Sequence, residues 1–186
     1  MRKIRRPAVI VLALALQLGA VVPAAAASTS PTAGYENGNT PLNLTQIARY
    51  TSGQFNVDGG VMEIVAYSQA NGFAYAINGQ SGLLAAIPLN NLTAGTGVVQ
   101  LSGTDIDVKA LVEAADSSFC YGDMTSVAVS PDKTTLAAAL QAEGYNDAGR
   151  VALFTCNGDG SLTLKGLVET GVQPDMVTFA DNNTVL

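Results

Sequence analysis

The sequence predicts an all-β fold, and three observations support this prediction. Short apolar segments recur along the chain. Turn-forming residues separate these segments, most clearly at 71–72, 131–133 and 157–160. Gly, Ala, Val, Thr and Asn are abundant, whereas charged residues make up only 13% of the chain. Strands that are joined by tight turns are typical of such a sequence.

The sequence also contains a repeat, which indicates the type of all-β fold. One strand-like segment occurs three times, at 65–68, 127–130 and 177–180. In each copy, bulky side chains fall on one face and small ones on the other. Further strand-like segments follow in the same order. The second segments are 73–77, 136–140 and 184–186, the third are 82–87 and 149–154, and the fourth are 98–101 and 162–168.

Four antiparallel strands in a unit of about 50 residues form the blade of a β-propeller. We therefore predict a partial β-propeller of about two and a half four-stranded antiparallel blades. The alternative is an unrelated β-sandwich whose segments are similar by chance. A closed propeller has about 4–8 blades, so we expect the chain to be the N-terminal part of a longer polypeptide that supplies the remaining blades. Two chains that complete one another are the other possibility.

One segment departs from the strand pattern. Apolar residues at Val108, Leu111, Val112 and Ala115 have the spacing of a helix. The segment 107–115 is therefore either a short helix inserted before the second blade or an irregular outer strand with a loop.

The N-terminus predicts export. Four basic residues (Arg2, Lys3, Arg5 and Arg6) precede an apolar run at 8–16, and small residues follow at 24–27. This order is typical of a cleavable, helical Sec-type signal peptide. A membrane anchor is the alternative, but a spanning helix needs about 20 apolar residues. We predict a signal peptide at 1–27, a flexible leader at 28–43, a propeller domain at 44–186, and no transmembrane segment in the mature chain.

Charge and composition exclude several functions. The chain has 9 basic and 15 acidic residues. Removal of 1–27 takes away four basic and no acidic residues, which leaves a net charge of 5 − 15 = −10. Such a protein repels nucleic acid. The chain contains no His, which excludes Ser-His-Asp and Cys-His catalysis. Strand order places Cys120 and Cys156 at opposite ends of one sheet, so we predict that they form no disulfide.

Four stretches, at 44–79, 126–140, 149–154 and 171–186, together resemble the choice-of-anchor I proteins. These are secreted or surface-attached bacterial proteins with a propeller-like domain of the WD40 and YVTN type. The resemblance implies a non-enzymatic module at the cell surface or outside the cell, which binds a surface protein, a glycan or a cell-wall component. Some relatives are associated with alkaline phosphatases. The alternative is therefore part of a metal-dependent phosphoesterase of the alkaline-phosphatase or phytase type, active only in the full-length protein.

Three carboxylates precede or begin the repeated segment: Glu63, Asp123 and Asp175. In a propeller these positions converge on one mouth of the central channel, where an acidic ring could bind Ca²⁺. The alternative is that these side chains satisfy backbone donors in the loops. We predict no catalytic residues and no other cofactor.

Overall fold

The computed structural model describes residues 45–186, except 94 and 96. The predicted signal peptide at 1–27 and the leader at 28–43 lie outside the described residues. Within the described part, strands dominate and one helix occurs. The elements are β1 (Ala48–Tyr50), β2 (Met62–Ser68), β3 (Phe73–Asn78), β4 (Leu83–Pro88), β5 (Val99–Leu101), β6 (Thr104–Ile106), α1 (Val108–Ala115), β7 (Tyr121–Val129), β8 (Thr135–Ala142), β9 (Ala148–Cys156) and β10 (Leu162–Val172).

The first four-stranded sheet has the order β2-β3-β4-β6, and all of its neighbours are antiparallel. The predictions of its first three strands are confirmed. The prediction that 98–101 forms the fourth strand is wrong. That segment forms β5, which pairs in parallel with β1, and β6 takes the fourth place.

The reason for this exchange lies at Gly103. A Cβ atom there would lie 3.1 Å from the carbonyl oxygen of Ala86 and 3.0 Å from Cε2 of Tyr50. The missing side chain lets the backbone approach β4 closely just before β6 begins. Leu101 and Tyr50 instead pack on the outer face of the sheet, against alanines such as Ala85. The more apolar strand, β5, therefore forms part of a layer that covers the sheet, and the more polar strand, β6, forms the edge of the sheet.

The second sheet is an antiparallel meander in the order β7-β8-β9-β10. All four predicted strands are confirmed and are longer than the segments that predicted them. The predicted hairpin turn at 157–160 joins β9 to β10. Gly160 adopts a φ of +87° there, a conformation that only glycine adopts readily.

Apolar cores lie between units that follow one another along the chain. The largest core lies between the two sheets and includes Tyr75, Leu84, Leu136 and Phe154. A smaller core lies on the other face of the second sheet, where Val177 from the third copy of the repeat packs against alanines of β8. Strand β8 therefore has apolar neighbours on both faces, and its residues 135–140 are all buried.

The helical alternative for 107–115 is confirmed as α1. Asp107 is its N-cap, and the Asp107 carboxylate accepts a hydrogen bond from the amide of Ala110 at 2.9 Å. Such a contact satisfies an amide that the first turn leaves without a helical partner. Val108 and Val112 are fully buried in the core between the sheets. Among the described residues, no helix has the length and apolar character that a membrane span requires.

The third copy of the repeat forms a short antiparallel contact instead of two full strands. Phe179 and Val185 form an isolated bridge. Thr178 and Leu186 exchange two backbone hydrogen bonds, at 2.9 and 2.8 Å. The predicted turn lies between them, and Asp181 accepts a hydrogen bond from the amide of Asn183 at 2.8 Å.

Candidate functional site

Two hydrogen bonds establish which ends of the sheets lie together. Ser68, at the end of β2, donates to the carbonyl oxygen of Lys133 in the turn after β7, at 2.5 Å. Asn71, in the turn after β2, donates to the carbonyl oxygen of Asn157 at 2.7 Å. The C-terminal ends of β2 and β7 are therefore adjacent, and both strands begin at the opposite end. We call that opposite end the loop face; it comprises the starts of β2 and β7 and the segments 51–61, 79–82, 143–147 and 173–176.

Hydrogen bonds hold segments of the loop face on the sheets and to each other. Gln54 accepts a hydrogen bond from Asn78 at the end of β3, at 2.9 Å. The amide of Gly79 donates to the carbonyl oxygen of Val61 at 3.0 Å. In the second unit, the carbonyl oxygen of Pro174 accepts a hydrogen bond from Thr125 of β7 at 2.8 Å. Loops that are held on a packed sheet in this way can present side chains in defined positions.

The three carboxylates that the sequence singles out, Glu63, Asp123 and Asp175, are all exposed and lie on the loop face. Glu63 lies over Gly79, where a Cβ atom would be 2.9 Å from its Oε1. Asp123 accepts a hydrogen bond from the amide of Met124 at 2.8 Å. That contact is of the kind expected if these side chains satisfy backbone donors.

Within the part of the chain that the structure describes, no group of three or more Asp, Glu, Cys or His side chains is placed to hold a metal ion. The calcium site at Glu63, Asp123 and Asp175 stays a prediction.

Four apolar side chains project from the loop face. Phe55 is 87% exposed, Val57 81%, Tyr145 76% and Met176 75%. These values are the highest among the large apolar side chains that the structure describes. These four residues lie in loops, where no strand or helix periodicity in the sequence marks them.

Exposed acidic side chains lie on the same face as these four residues. The loop face contributes the following carboxylates: Asp58, Glu63, Asp123, Glu143, Asp147 and Asp175. Lys133 lies in the turn at the other end of the sheet, and Lys165 reaches Thr135 at that same end. Arg150 is occupied by ion pairs with Asp116 and Glu169. The loop face is therefore strongly acidic.

A cleft of about 590 Å³ lies between the two sheets beside α1, apart from the loop face. Asp105, Asp107 and Asp159 line it together with apolar side chains such as Leu162. The carboxylates of Asp107 and Asp159 are already hydrogen-bonded, since one caps α1 and the other accepts from Ser161 at 2.7 Å. The hydroxyl and amide of Ser161 hold the pKa of Asp159 below its usual value.

Cys120 and Cys156 are free thiols. Cys120 precedes β7 at the loop face, and Cys156 ends β9 at the opposite end of the sheet. Cys120 is exposed, whereas Cys156 is partly buried beside Tyr75 and Ser68. Burial raises the pKa of the Cys156 thiol, which lowers its reactivity at neutral pH.

The model of the choice-of-anchor I domain matches residues 63–186. The match begins on β2 and spans both four-stranded sheets and the third copy of the repeat. No curated protein and no solved structure matches the chain. The chain belongs to the choice-of-anchor I domain family, and this membership indicates a surface-associated protein.

Proposed function

We propose that the chain is an exported, non-enzymatic binding or scaffold module of the cell surface. Its two sheets are then the first blades of a β-propeller, which further blades complete. The observation that carries the proposal is the loop face, where exposed apolar and acidic side chains stand on loops that a packed double sheet holds in place. Large exposed apolar patches that polar residues rim mark interaction sites on soluble proteins.

The order of the strands supports the propeller part of the proposal. Each sheet is a meander that begins with its repeated strand, and β2 and β7 lie side by side. Hydrogen bonds between turns connect successive units. Ser68 reaches the turn of the second unit, and the amide of Asp132 in that turn donates to Asn182 of the third copy at 2.8 Å. Successive propeller blades stack face to face with the same connectivity.

The acidic loop face supports binding to a surface protein, a glycan or a cell-wall component in preference to nucleic acid, which its charge repels. The phosphoesterase alternative is based on the acidic loop residues Glu63 and Asp175 and on the association of some relatives with alkaline phosphatases.

Secretion and binding can be tested in one bacterial system. We expect the full chain to leave the cytoplasm and to lose residues 1–27. We expect the exported product to bind one fraction of the cell envelope, as protein, glycan or cell wall, in a saturable manner. A variant without the apolar run 8–16 is the control and should remain in the cytoplasm with its N-terminus intact. An exported product that binds every envelope fraction weakly and without saturation would contradict the binding function.

A further inference from the structure

We infer that the loop face is a docking surface for a cationic, amphipathic polypeptide segment in which Lys or Arg alternates with apolar residues. This inference rests on the proposed binding function and specifies the class of partner that the same surface accepts.

The apolar part of the docking surface consists of Phe55, Val57, Tyr145 and Met176. They come from three separate segments, yet all four project from the same end of the sheets. Gln173 donates to the carbonyl oxygen of Tyr145 at 3.4 Å, which joins the segment of Tyr145 to that of Met176. Aromatic residues and Met are enriched in protein interfaces, because they bury much area when a partner covers them. A partner that carries apolar side chains would remove these four from water.

Charge determines what kind of polypeptide fits. Six exposed carboxylates lie on the same loop face as the apolar side chains. The segments 51–61, 79–82, 143–147 and 173–176 contain no Lys or Arg. The side chain of Arg150 is only 11% exposed and is paired with Asp116 and Glu169. An anionic partner would be repelled, and a neutral glycan would gain nothing from the charge of the carboxylates. Lys and Arg side chains complement the carboxylates, and their apolar stems can cover Phe55 and Tyr145 at the same time. Their cationic groups are also attracted to aromatic rings.

The experiment measures the binding of three synthetic oligopeptides to the exported full chain. One alternates Lys with Leu, one alternates Lys with Ser, and one alternates Glu with Leu. We expect the Lys/Leu peptide to bind most tightly, the Lys/Ser peptide to bind more weakly, and the Glu/Leu peptide not to bind. Because exposed charges are screened by salt, affinity for the Lys/Leu peptide should fall about tenfold or more when salt is raised from about 0.05 M to about 0.5 M.

Variants locate the surface. The double change Phe55→Ser and Tyr145→Ser should weaken binding of the Lys/Leu peptide about tenfold or more, because aromatic side chains dominate the energetics of interfaces. Asp58→Asn with Asp175→Asn should weaken binding and reduce its salt dependence. Val168→Ser on β10 and Asp105→Asn on β6 are matched controls, since each changes an exposed residue away from the loop face. Both should bind as the unchanged chain does.

Each outcome supports or contradicts the inference. Equal binding of the Lys/Leu and Glu/Leu peptides, or loss of binding in the controls as large as in the loop-face variants, would overturn it. A chain that binds one envelope fraction in a saturable manner but ignores the Lys/Leu peptide would refute the docking inference and leave the proposed function standing. A chain that binds neither an envelope fraction in a saturable manner nor the Lys/Leu peptide would refute the proposed function as well.

Discussion

The guanidinium carbon of Arg150 on β9 lies 5.0 Å from the centroid of the Phe119 ring. The same side chain is 3.1 Å from the carboxylate of Asp116 and 3.3 Å from that of Glu169. Asp116 directly follows α1, whereas Glu169 belongs to β10. One cation therefore connects the helix between the sheets to the outer edge of the second sheet.

Replacement of this cation should destabilise the fold. In Arg150→Met, the loss of the contact with Phe119 alone should cost about 0.5–1 kcal/mol. The ion pairs are lost in addition, so the midpoint of thermal unfolding should fall measurably. Lys109→Met is the matched control, because Lys109 and Glu113 form an exposed pair at 3.9 Å and such pairs contribute little. Equal unfolding midpoints for the two variants would show that Arg150 does not stabilise the fold.

Stability should decrease in acid, and Asp116 should contribute to that decrease. The Ser118 hydroxyl and then Arg150 lower the pKa of Asp116 in the folded state. A lowered pKa stabilises the fold above the unfolded value of about 3.9, and this contribution is lost as the pH falls through the folded value. Denaturant unfolding between about pH 5 and pH 2 should therefore depend less on pH in Asp116→Asn than in the unchanged chain. Asp105→Asn is the control, and identical pH profiles for Asp116→Asn and the unchanged chain would contradict the assignment.

The contact between the units at Asn71 should also stabilise the fold. Its amide donates to Asn157 in the second unit and to the hydroxyl of Tyr75 at 2.8 Å. Tyr75 is fully buried, and burial raises its pKa to about 12. Asn71→Ala leaves the carbonyl oxygen and the hydroxyl without this donor, and we expect a loss of about 1–3 kcal/mol in the free energy of unfolding.

Denaturant unfolding measures this loss, with Asn146→Ala in the exposed segment 143–147 as the matched control. A change below about 0.5 kcal/mol, the usual range for a surface substitution, would show that the units do not depend on this contact.

The strands that the sequence predicted best are those with apolar neighbours on both faces. Strand β8 contains five consecutive apolar residues at 136–140, which are buried because one sheet packs on one face and the third copy of the repeat on the other. An uninterrupted apolar segment between turns signals such a strand directly. The fourth strand of the first sheet was mispredicted because Val99 and Leu101 follow a strand pattern equally well when they cover a sheet as when they extend it. The choice depends on the close approach at Gly103, which is a property of the tertiary structure.

The candidate site was predictable only in part, for a related reason. The positions of Glu63, Asp123 and Asp175 relative to the repeated strands indicated that they would lie at one end of the fold, and they do so. Phe55 and Tyr145 lie in loops of different units, and no local pattern relates them. Their common location follows from the hydrogen bonds that fix segments 51–61 and 173–176 to the sheets and from the bond between Gln173 and Tyr145.

The two thiols should differ in reactivity. Cys120 is exposed, whereas burial and the environment of Cys156 raise the pKa of its thiol. A raised pKa reduces the fraction of thiolate at neutral pH, and the thiolate is the reactive form. With a thiol-alkylating reagent at neutral pH, we expect Cys120 to be modified first and Cys156 to be modified only slowly. Peptide mass spectrometry at successive times distinguishes the two sites. In denaturant the two rates should converge, and a Cys156 that reacts as fast as Cys120 in the native chain would show that β9 does not bury it.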